Sequence, residues 1–206
     1  QPGDQLLKHA DLVIAVGYDP IEYEPRNWNN EGDANIIVID SMRAEVDKNF
    51  QPERELVGDI SQTLDFLLPY MKGFKLPESS REYLDGLQEK LKLRDEPPAV
   101  TENQVTSHPL SIIQALQDRV TDDMTVSVDV GSFYIWMARH FRSYNPRHLL
   151  FSNGMQTLGV ALPWAISAAL VRPNTQIVSV SGDGGFLFSS QDLETAVRLG
   201  LNIVHI

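Results

Sequence analysis

Short, wholly apolar runs alternate with segments of helical period along the first third of the chain. Strands without a polar face are typical of a parallel sheet that helices cover on both faces. Asp59 directly precedes one of the helical runs and is predicted to cap its free amides. The predicted strands are residues 11–17, 35–40 and 55–59, and the predicted helices are residues 4–10 and 60–71.

The second half of the chain repeats this alternation in a longer series. His108 is predicted to cap the first helix of the series. Ser189 and Asp192 have the spacing of a capping box at the last helix, and Gly200 is a good terminator for it. A βαβ series of this kind predicts a doubly wound parallel sheet. The predicted strands are 125–130, 148–152, 176–181 and 202–206, and the predicted helices are 107–120, 134–141, 157–171 and 189–200.

Residues 73–106 differ in composition from the segments on either side. They are rich in charge and contain the pair Pro97-Pro98, which indicates an exposed helix followed by a linker. The predicted class is therefore α/β, with parallel sheets and helices on both faces, in parts of two domains. The predicted boundaries are 1–72 for the first domain, 73–106 for the linker and 107–206 for the second domain.

The charge, the cysteine content and the apolar runs of the chain exclude several kinds of partner and site. The formal net charge is -11 and the chain has no basic stripe, which argues against nucleic-acid binding. The absence of cysteine excludes disulfides, thiolate zinc sites and cysteine nucleophiles. The longest apolar run, 158–171, contains Pro163 and is too short to cross a membrane. With no leader sequence visible, we expect a cytoplasmic protein.

The two ends of the chain predict an internal fragment of a longer protein. The chain starts on Gln1-Pro2-Gly3 rather than on Met. At the other end, residues 202–206 look like a strand that is cut short.

Three glycine-bearing turns, 129–133, 152–159 and 181–186, each follow a predicted strand and precede a predicted helix. Ligands of open α/β sheets collect at the carboxyl ends of the strands, so these turns are predicted to converge on one ligand. Glycine lets the backbone approach an anion closely, and the following helix N-termini favour phosphate. The pattern predicts a phosphate-bearing ligand.

Asp183 lies among the glycines of the third turn. A carboxylate repels phosphate unless a hard cation lies between them, and Mg²⁺ binds one or two carboxylates together with phosphate and water. We therefore interpret Asp183 as a Mg²⁺ ligand for a diphosphate. The alternative is an ordinary strand-to-helix turn with a capping Asp.

The other two turns have ordinary interpretations as well. Asp129 is suited to cap the helix that follows it, and Ser132 to be a turn residue. Met155 and Leu158, taken singly, are more typical of core positions than of a binding surface.

The segments 129–144, 152–171 and 179–200 closely resemble the catabolic acetolactate synthases, a branch of the enzymes that depend on thiamine diphosphate (thiamine pyrophosphate, TPP). Gly182-Asp183-Gly184 resembles the start of the TPP signature. Residues 17–29 also fit the catabolic branch, because the FAD-containing branch has an Arg-Phe-Asp-type sequence at that place. The resemblance implies the later part of a central domain and the first half of a diphosphate-binding domain.

The resemblance also implies roles for individual residues. Asp183 corresponds to a Mg²⁺ ligand, and Leu158 corresponds to the bulky residue under the bend of the cofactor, where relatives often have Met. The implied cofactor-binding residues are Ser132, Phe133, Gly182, Gly184 and Gly185 near the diphosphate, and Met155, Gln156 and Leu158 near the aminopyrimidine and the bend.

By the same resemblance, two parts of the machinery lie outside these residues. The second Mg²⁺ ligand, an Asn, belongs just after Ile206. The catalytic Glu belongs to an N-terminal domain and acts across a dimer or tetramer interface, so no catalytic residue is expected in this chain, which should be inactive alone.

The implied activity condenses two pyruvates into 2-acetolactate with release of CO₂, through a hydroxyethyl carbanion carried by TPP, without FAD. Two alternatives stay open. One is another TPP-dependent 2-keto acid decarboxylase or carboligase, and the other is a non-catalytic nucleotide-binding α/β module.

Overall fold

Two separate parallel sheets form the framework of the chain in the computed structural model, which describes residues 2–99 and 107–206. The chain divides into two units, residues 1–94 and 95–206. Residues 100–106, which end the predicted linker, lie outside the described residues. The predicted α/β class is confirmed, because the strands of both sheets pair in parallel and each unit also contains helices.

The first unit contains a three-stranded sheet whose strands lie in chain order. The connection from β1 to β2 contains a short 3-10 helix, Pro25–Asn27, and the connection from β2 to β3 contains no helix. The strands are β1 (Val13–Val16), β2 (Ile36–Asp40) and β3 (Arg54–Val57), and the helices that begin in this unit are α1 (Pro2–His9), α2 (Ile60–Leu67) and α3 (Glu78–Asp95). A 3-10 turn, Leu68–Met71, extends α2.

An aromatic cluster explains the unusual loop that follows β1. Trp28 and Phe50 are buried and pack against Tyr18. The Trp28 Nε1–H donates to the Tyr18 hydroxyl at 3.2 Å, and that hydroxyl donates to the carbonyl of Tyr23. Burial raises the pKa of the Tyr18 phenol. The loop is therefore a packed part of this unit, which its composition alone did not specify.

The predicted cap at Asp59 is confirmed. Its carboxylate accepts a hydrogen bond from the backbone N–H of Gln62 at 2.8 Å, at the start of α2. Replacing Asp59 with Ala is expected to lower the free energy of unfolding by about 1 kcal/mol, because one amide of the first turn loses its partner. Urea unfolding measures this change. Asp59→Asn, which keeps an acceptor oxygen, is the control and should lose less; equal losses would contradict the capping role.

Helix α3 packs on α1 within the first unit. The Tyr83 hydroxyl donates to the carbonyl of Gln5 at 3.2 Å, and its ring lies 4.2 Å from the imidazole ring of His9. Leu87 is the buried residue of the helix. The domain boundaries predicted from the sequence stay a prediction.

The second unit contains a four-stranded sheet with the order β5-β4-β6-β7. The chain starts in an inner strand, β4, moves outward to β5, and then crosses to β6 on the other side of β4. Its strands are β4 (Thr125–Val128), β5 (Leu149–Phe151), β6 (Ile177–Val180) and β7 (Ile203–His205), and its helices are α4 (Pro109–Gln117), α5 (Ser132–His140), α6 (Ala161–Val171), α7 (Asp183–Ser189) and α8 (Asp192–Arg198).

The two inner strands are buried along their whole length, including the polar residues Thr125, Ser127 and Ser179. Val126 and Val128 of β4 pack with Met137 of α5 and Ile113 of α4 in one core cluster. Ala165 and Ala169 of α6 pack with Ile177 in a second cluster. Small side chains on α6 are what allow this helix to lie close to the sheet.

The helix ends agree with the sequence in two places. The Nδ1 of His108 accepts from the backbone N–H of Leu110 at 3.3 Å, which confirms the predicted cap of α4. Gly200 follows α8 with φ +60, the left-handed conformation that ends many helices.

The predicted capping box at Ser189 and Asp192 is wrong. The chain enters α7 directly after β6, so Ser189 already lies inside that helix and cannot take the extended backbone of a capping residue. A second helix, α8, then begins at Asp192, and the residue before it, Gln191, also has a helical backbone (φ -61, ψ -25). The single predicted helix over 189–200 is in fact the end of α7 followed by α8.

Within the described residues, 2–99 and 107–206, no helix combines the length and the apolar character needed to cross a membrane.

Candidate functional site

The three glycine-bearing turns meet at one edge of the four-stranded sheet. They follow Val128, Phe151 and Val180, the last residues of β4, β5 and β6. These strands are parallel neighbours with Val128 opposite both Phe151 and Val180, so their carboxyl ends lie side by side. Polar groups on the three turns are therefore brought to one place, as predicted for a ligand site of an open α/β sheet.

Asp183 is the first residue of α7 and its side chain is exposed. Gly182 before it is extended (φ -79, ψ 174), which carries the chain from β6 into the helix. One carboxylate oxygen of Asp183 accepts from the N–H of Gly184 at 2.9 Å. The side chain thus stands at the end of an inner strand, at the edge where the turns meet.

The chain around Asp183 is open to a ligand. A Cβ built on Gly182 or on Gly184 would meet no atom of the described residues within 4 Å. Glycine at both positions leaves the backbone accessible from the side on which the carboxylate is exposed.

Asp129 has a different role from the one that its sequence suggested. It is 2% exposed, and its carboxylate turns towards the segment before α6 rather than towards the start of α5. Oδ1 accepts from the N–H of Val130 at 2.9 Å and from that of Gly159 at 2.9 Å, and Oδ2 accepts from the N–H of Ala161 at 3.2 Å. The interpretation of Asp129 as a cap for the following helix is wrong.

Two further glycines of these turns are required by close packing. A Cβ on Gly185 would lie 2.7 Å from Cγ of Asp129, and a Cβ on Gly159 would lie 2.6 Å from Cβ of Phe188. Gly159 also has φ +81, where a side chain is strained. Helix α6 starts at Ala161, four residues later than predicted, because this tight turn occupies the preceding positions.

The turn before α6 presents its larger side chains to solvent. Met155 is 90% exposed and Leu158 is 40% exposed, so the interpretation of these residues as core positions is wrong. Gln156 has φ +47, an uncommon conformation for a residue with a side chain, and such conformations cluster at functional sites. The hydroxyl of Tyr134 in α5 donates to Oδ1 of Asn153, which ties this turn to its neighbour.

Ser132 and Phe133 begin α5, directly after Gly131. Ser132 is exposed, whereas Phe133 is partly buried against the core cluster of the sheet. The first-turn amides of α5 are therefore available at the same edge as Asp183, where they favour an anion.

Two polar residues lie beside the third turn: Ser179 on β6, which is buried, and His205 on β7, which is half-buried. They are opposite each other in the sheet, and the Nε2 of His205 lies 3.1 Å from the hydroxyl oxygen of Ser181. Burial lowers the pKa of the His205 imidazole, and the Asp129 carboxylate opposes that change. In the described part of the chain, Ser179 Oγ and His205 Nδ1 are buried without a hydrogen-bond partner.

The donor chemistry fits a Mg²⁺ ion whose remaining ligands come from a bound phosphate. Asp129 is engaged with backbone amides, whereas Asp183 is exposed beside open glycines. Across residues 2–99 and 107–206, no group of three His, Cys, Asp or Glu side chains is placed to hold a metal. Mg²⁺ is commonly bound in this way, through one or two carboxylates and the phosphates of a substrate or cofactor.

An apolar cleft of about 530 Å³ lies between β5 and α6, lined among others by Leu149, Phe151, Trp164 and Val171. Its lining, all within the described part of the chain, includes none of the predicted site residues. The polar chemistry is at the strand ends, so we place the candidate site there and not in the cleft.

Comparison with known proteins gives two matches to models of domain families. Residues 1–67 match the thiamine pyrophosphate enzyme central domain, and residues 129–206 match the thiamine pyrophosphate enzyme C-terminal TPP binding domain. All three turns of the candidate site lie within the second match.

Individual relatives align along the chain. It is 50% identical over 206 residues to an acetolactate synthase of Bacillus subtilis (strain 168), and 50% identical over 207 residues to a catabolic acetolactate synthase of Raoultella terrigena. Each alignment covers 100% of this chain and 36% or 37% of the relative, so the chain spans about a third of the length of these curated relatives. The large subunit of acetolactate synthase isozyme 2 of Escherichia coli (strain K12) is 34% identical over 96% of the chain.

Proposed function

Because the chain belongs to the thiamine pyrophosphate enzyme family, we propose that it is part of a catabolic acetolactate synthase that condenses two pyruvates into 2-acetolactate and releases CO₂. The observation that carries the proposal is the 50% identity along the whole chain to a relative named as a catabolic acetolactate synthase.

We propose that the edge of the second sheet holds the diphosphate of TPP and supplies one ligand of its Mg²⁺ ion. We assign Asp183 as the metal ligand and place the diphosphate against Gly182, Gly184, Gly185 and the start of α5 at Ser132 and Phe133. The exposed residues of the turn before α6 would contact the aminopyrimidine and support the bend of the cofactor; they are Met155, Gln156 and Leu158. When bound, TPP supplies the nucleophilic carbon and the electron sink for decarboxylation.

The residues of this chain would bind the cofactor and shield its reactive carbon, and they would not transfer protons. Asp183 would hold the Mg²⁺ ion, whose charge would offset that of the diphosphate. Met155 and Leu158 offer an apolar surface beside the site, which would exclude water and protons from reactive carbon. The expected general acid–base residue, a Glu, lies on another domain, so we propose a dimer or tetramer with sites shared between subunits.

We also propose that the central-domain part of the chain ends at residue 72, that residues 73–106 connect it to the next domain, and that residues 107–206 begin the TPP-binding domain. The family matches at 1–67 and 129–206 support this division. A cytoplasmic location stays a prediction.

An assay of the complete protein with pyruvate, TPP and Mg²⁺ tests the activity. We expect acetolactate, detected as acetoin after decarboxylation, from protein that carries no flavin, and we expect chelation of Mg²⁺ to abolish it. The isolated 206-residue chain should be inactive. Acetaldehyde as the sole product would indicate the alternative decarboxylase, and a protein that binds no TPP would indicate the nucleotide-binding module.

A further inference from the structure

We propose that Asp129 is a positioning residue that fixes the relative geometry of the three turns of the cofactor site without touching the cofactor. The inference rests on the proposed function, since it concerns the affinity for TPP. Asp129 directly follows β4, an inner strand, at the edge where the turns meet, and it is 2% exposed. We call Asp129, the three amides that it accepts from and Gly185 the Asp129 clasp.

The carboxylate joins residues that are far apart in the sequence. Gly159 and Ala161, which donate to its two oxygens at 2.9 and 3.2 Å, follow it by 30 and 32 residues. Gly159 ends the turn that carries Met155, Gln156 and Leu158, and Ala161 is the first residue of α6. Since Gly159 and Ala161 are anchored from β4, the exposed part of that turn projects from a fixed base.

The opposite side of the carboxylate is in contact with the third turn. A Cβ on Gly185 would lie 2.7 Å from Cγ, 2.9 Å from Oδ1 and 3.0 Å from Oδ2 of Asp129. Gly185 is buried and follows Asp183 by two residues at the start of α7. The position of the proposed metal ligand is therefore set against the same carboxylate that holds the turn before α6.

The hydrogen bonds of Asp129 distinguish a clasp from a helix cap. A cap of the following helix would satisfy amides of α5, whereas two of the three bonds come from Gly159 and from Ala161, the first residue of α6. A buried carboxylate is costly unless hydrogen bonds compensate it, so the two oxygens and the three amides are mutually required. Removing one oxygen should release the turn.

The test uses Asp129→Asn in the complete protein. An amide group has the same shape but only one acceptor oxygen, so it cannot accept from all three amides and places an N–H against at least one of them. We expect hydrogen exchange of residues 156–161 in the cofactor-free protein to become about 10-fold faster. We expect the Kd for TPP at saturating Mg²⁺ to rise about 10-fold, in the range that outer-shell changes produce.

Gly185→Ala provides a second, independent variant. Its methyl group displaces the carboxylate from the other side and should produce the same faster exchange at residues 156–161, which are remote from it in sequence. The double variant should lose less TPP affinity than the product of the two single losses, because both changes break one clasp.

Ile113→Ala in α4 is the matched control, since Ile113 is 3% exposed in the core cluster and lies outside the three turns. It should lower the thermal midpoint but leave exchange at 156–161 and the Kd for TPP near those of the parent protein. If Asp129→Asn lowers the midpoint and changes neither exchange nor Kd, Asp129 is only a structural residue and the inference is overturned. A parent protein that does not bind TPP would instead overturn the proposed function.

Discussion

Replacing Asp183 with Asn is expected to weaken Mg²⁺-dependent TPP binding by more than about 100-fold, since even changes behind the direct ligands of a metal cost about 10–100-fold. The carboxylate is exposed at the end of β6 and is the acid that the turns leave available to a cation. Asn keeps an oxygen but loses the negative charge that a hard cation prefers.

The same substitution separates the metal role from a purely local one. Asp183 also accepts a hydrogen bond from the N–H of Gly184 at 2.9 Å, and the amide oxygen of Asn can accept that bond. The turn should therefore persist in Asp183→Asn, and the thermal midpoint of the cofactor-free protein should change little. A loss of binding without a loss of stability is the signature of a ligand.

Calorimetry of TPP binding, with and without MgCl₂, measures the effect in the complete protein. Asp192→Asn is the matched control, because Asp192 is another acid in the first turn of a helix, α8, in the same segment of the chain. If Asp183→Asn binds TPP as tightly as the parent, or if Asp192→Asn is equally impaired, the assignment of Asp183 to Mg²⁺ is wrong.

Gly159→Ala should lower the free energy of unfolding by about 2–4 kcal/mol, the largest loss of stability that we expect from a single methyl group in the candidate site. Two costs combine. The backbone of Gly159 has φ +81, which is unfavourable for any residue with a Cβ, and the new methyl would lie 2.6 Å from Cβ of Phe188. Relief of that contact requires α6 or α7 to move.

Urea unfolding of the complete protein measures the loss, and TPP calorimetry shows whether the displaced turn also weakens binding. Gly200→Ala is the control, since Gly200 has φ +60 but no atom of the described residues would lie within 4 Å of its Cβ. It should lose only the backbone contribution, about 1 kcal/mol. Equal losses at the two positions would show that the contact with Phe188 is not tight.

The residues that could be predicted from the sequence are those whose environment is set within a few positions. The strands predicted at 125–130 and 176–181 are present as β4 and β6, and both are buried throughout. The predicted caps at Asp59 and His108 are present because a cap involves only the next two or three amides. The sequence also predicted a ligand site at the carboxyl ends of the strands, since neighbouring parallel strands end at the same edge of a sheet.

The predictions that proved wrong depend on contacts between distant segments or on where a neighbouring helix begins. Asp129 was predicted to cap the next helix, but its carboxylate instead accepts hydrogen bonds from the amides of Gly159 and Ala161, which lie 30 and 32 residues further along the chain. Ser189 has the right neighbours for a capping box, yet α7 had already begun at Asp183. The apolar side chain of Met155 predicted a core position, but the fold leaves this residue 90% exposed.

By itself, then, the sequence determined the parallel α/β class, the three turns and the choice of Asp183 as the acid among glycines, because strand burial, glycine and charge act locally. Only the tertiary structure decided what each turn does. It buried Asp129 between two turns, it required glycine at 159 and 185 through contacts with Phe188 and Asp129, and it left Asp183 accessible. The physical reason is that two carboxylates at the same sheet edge differ only in which distant amides and side chains surround them.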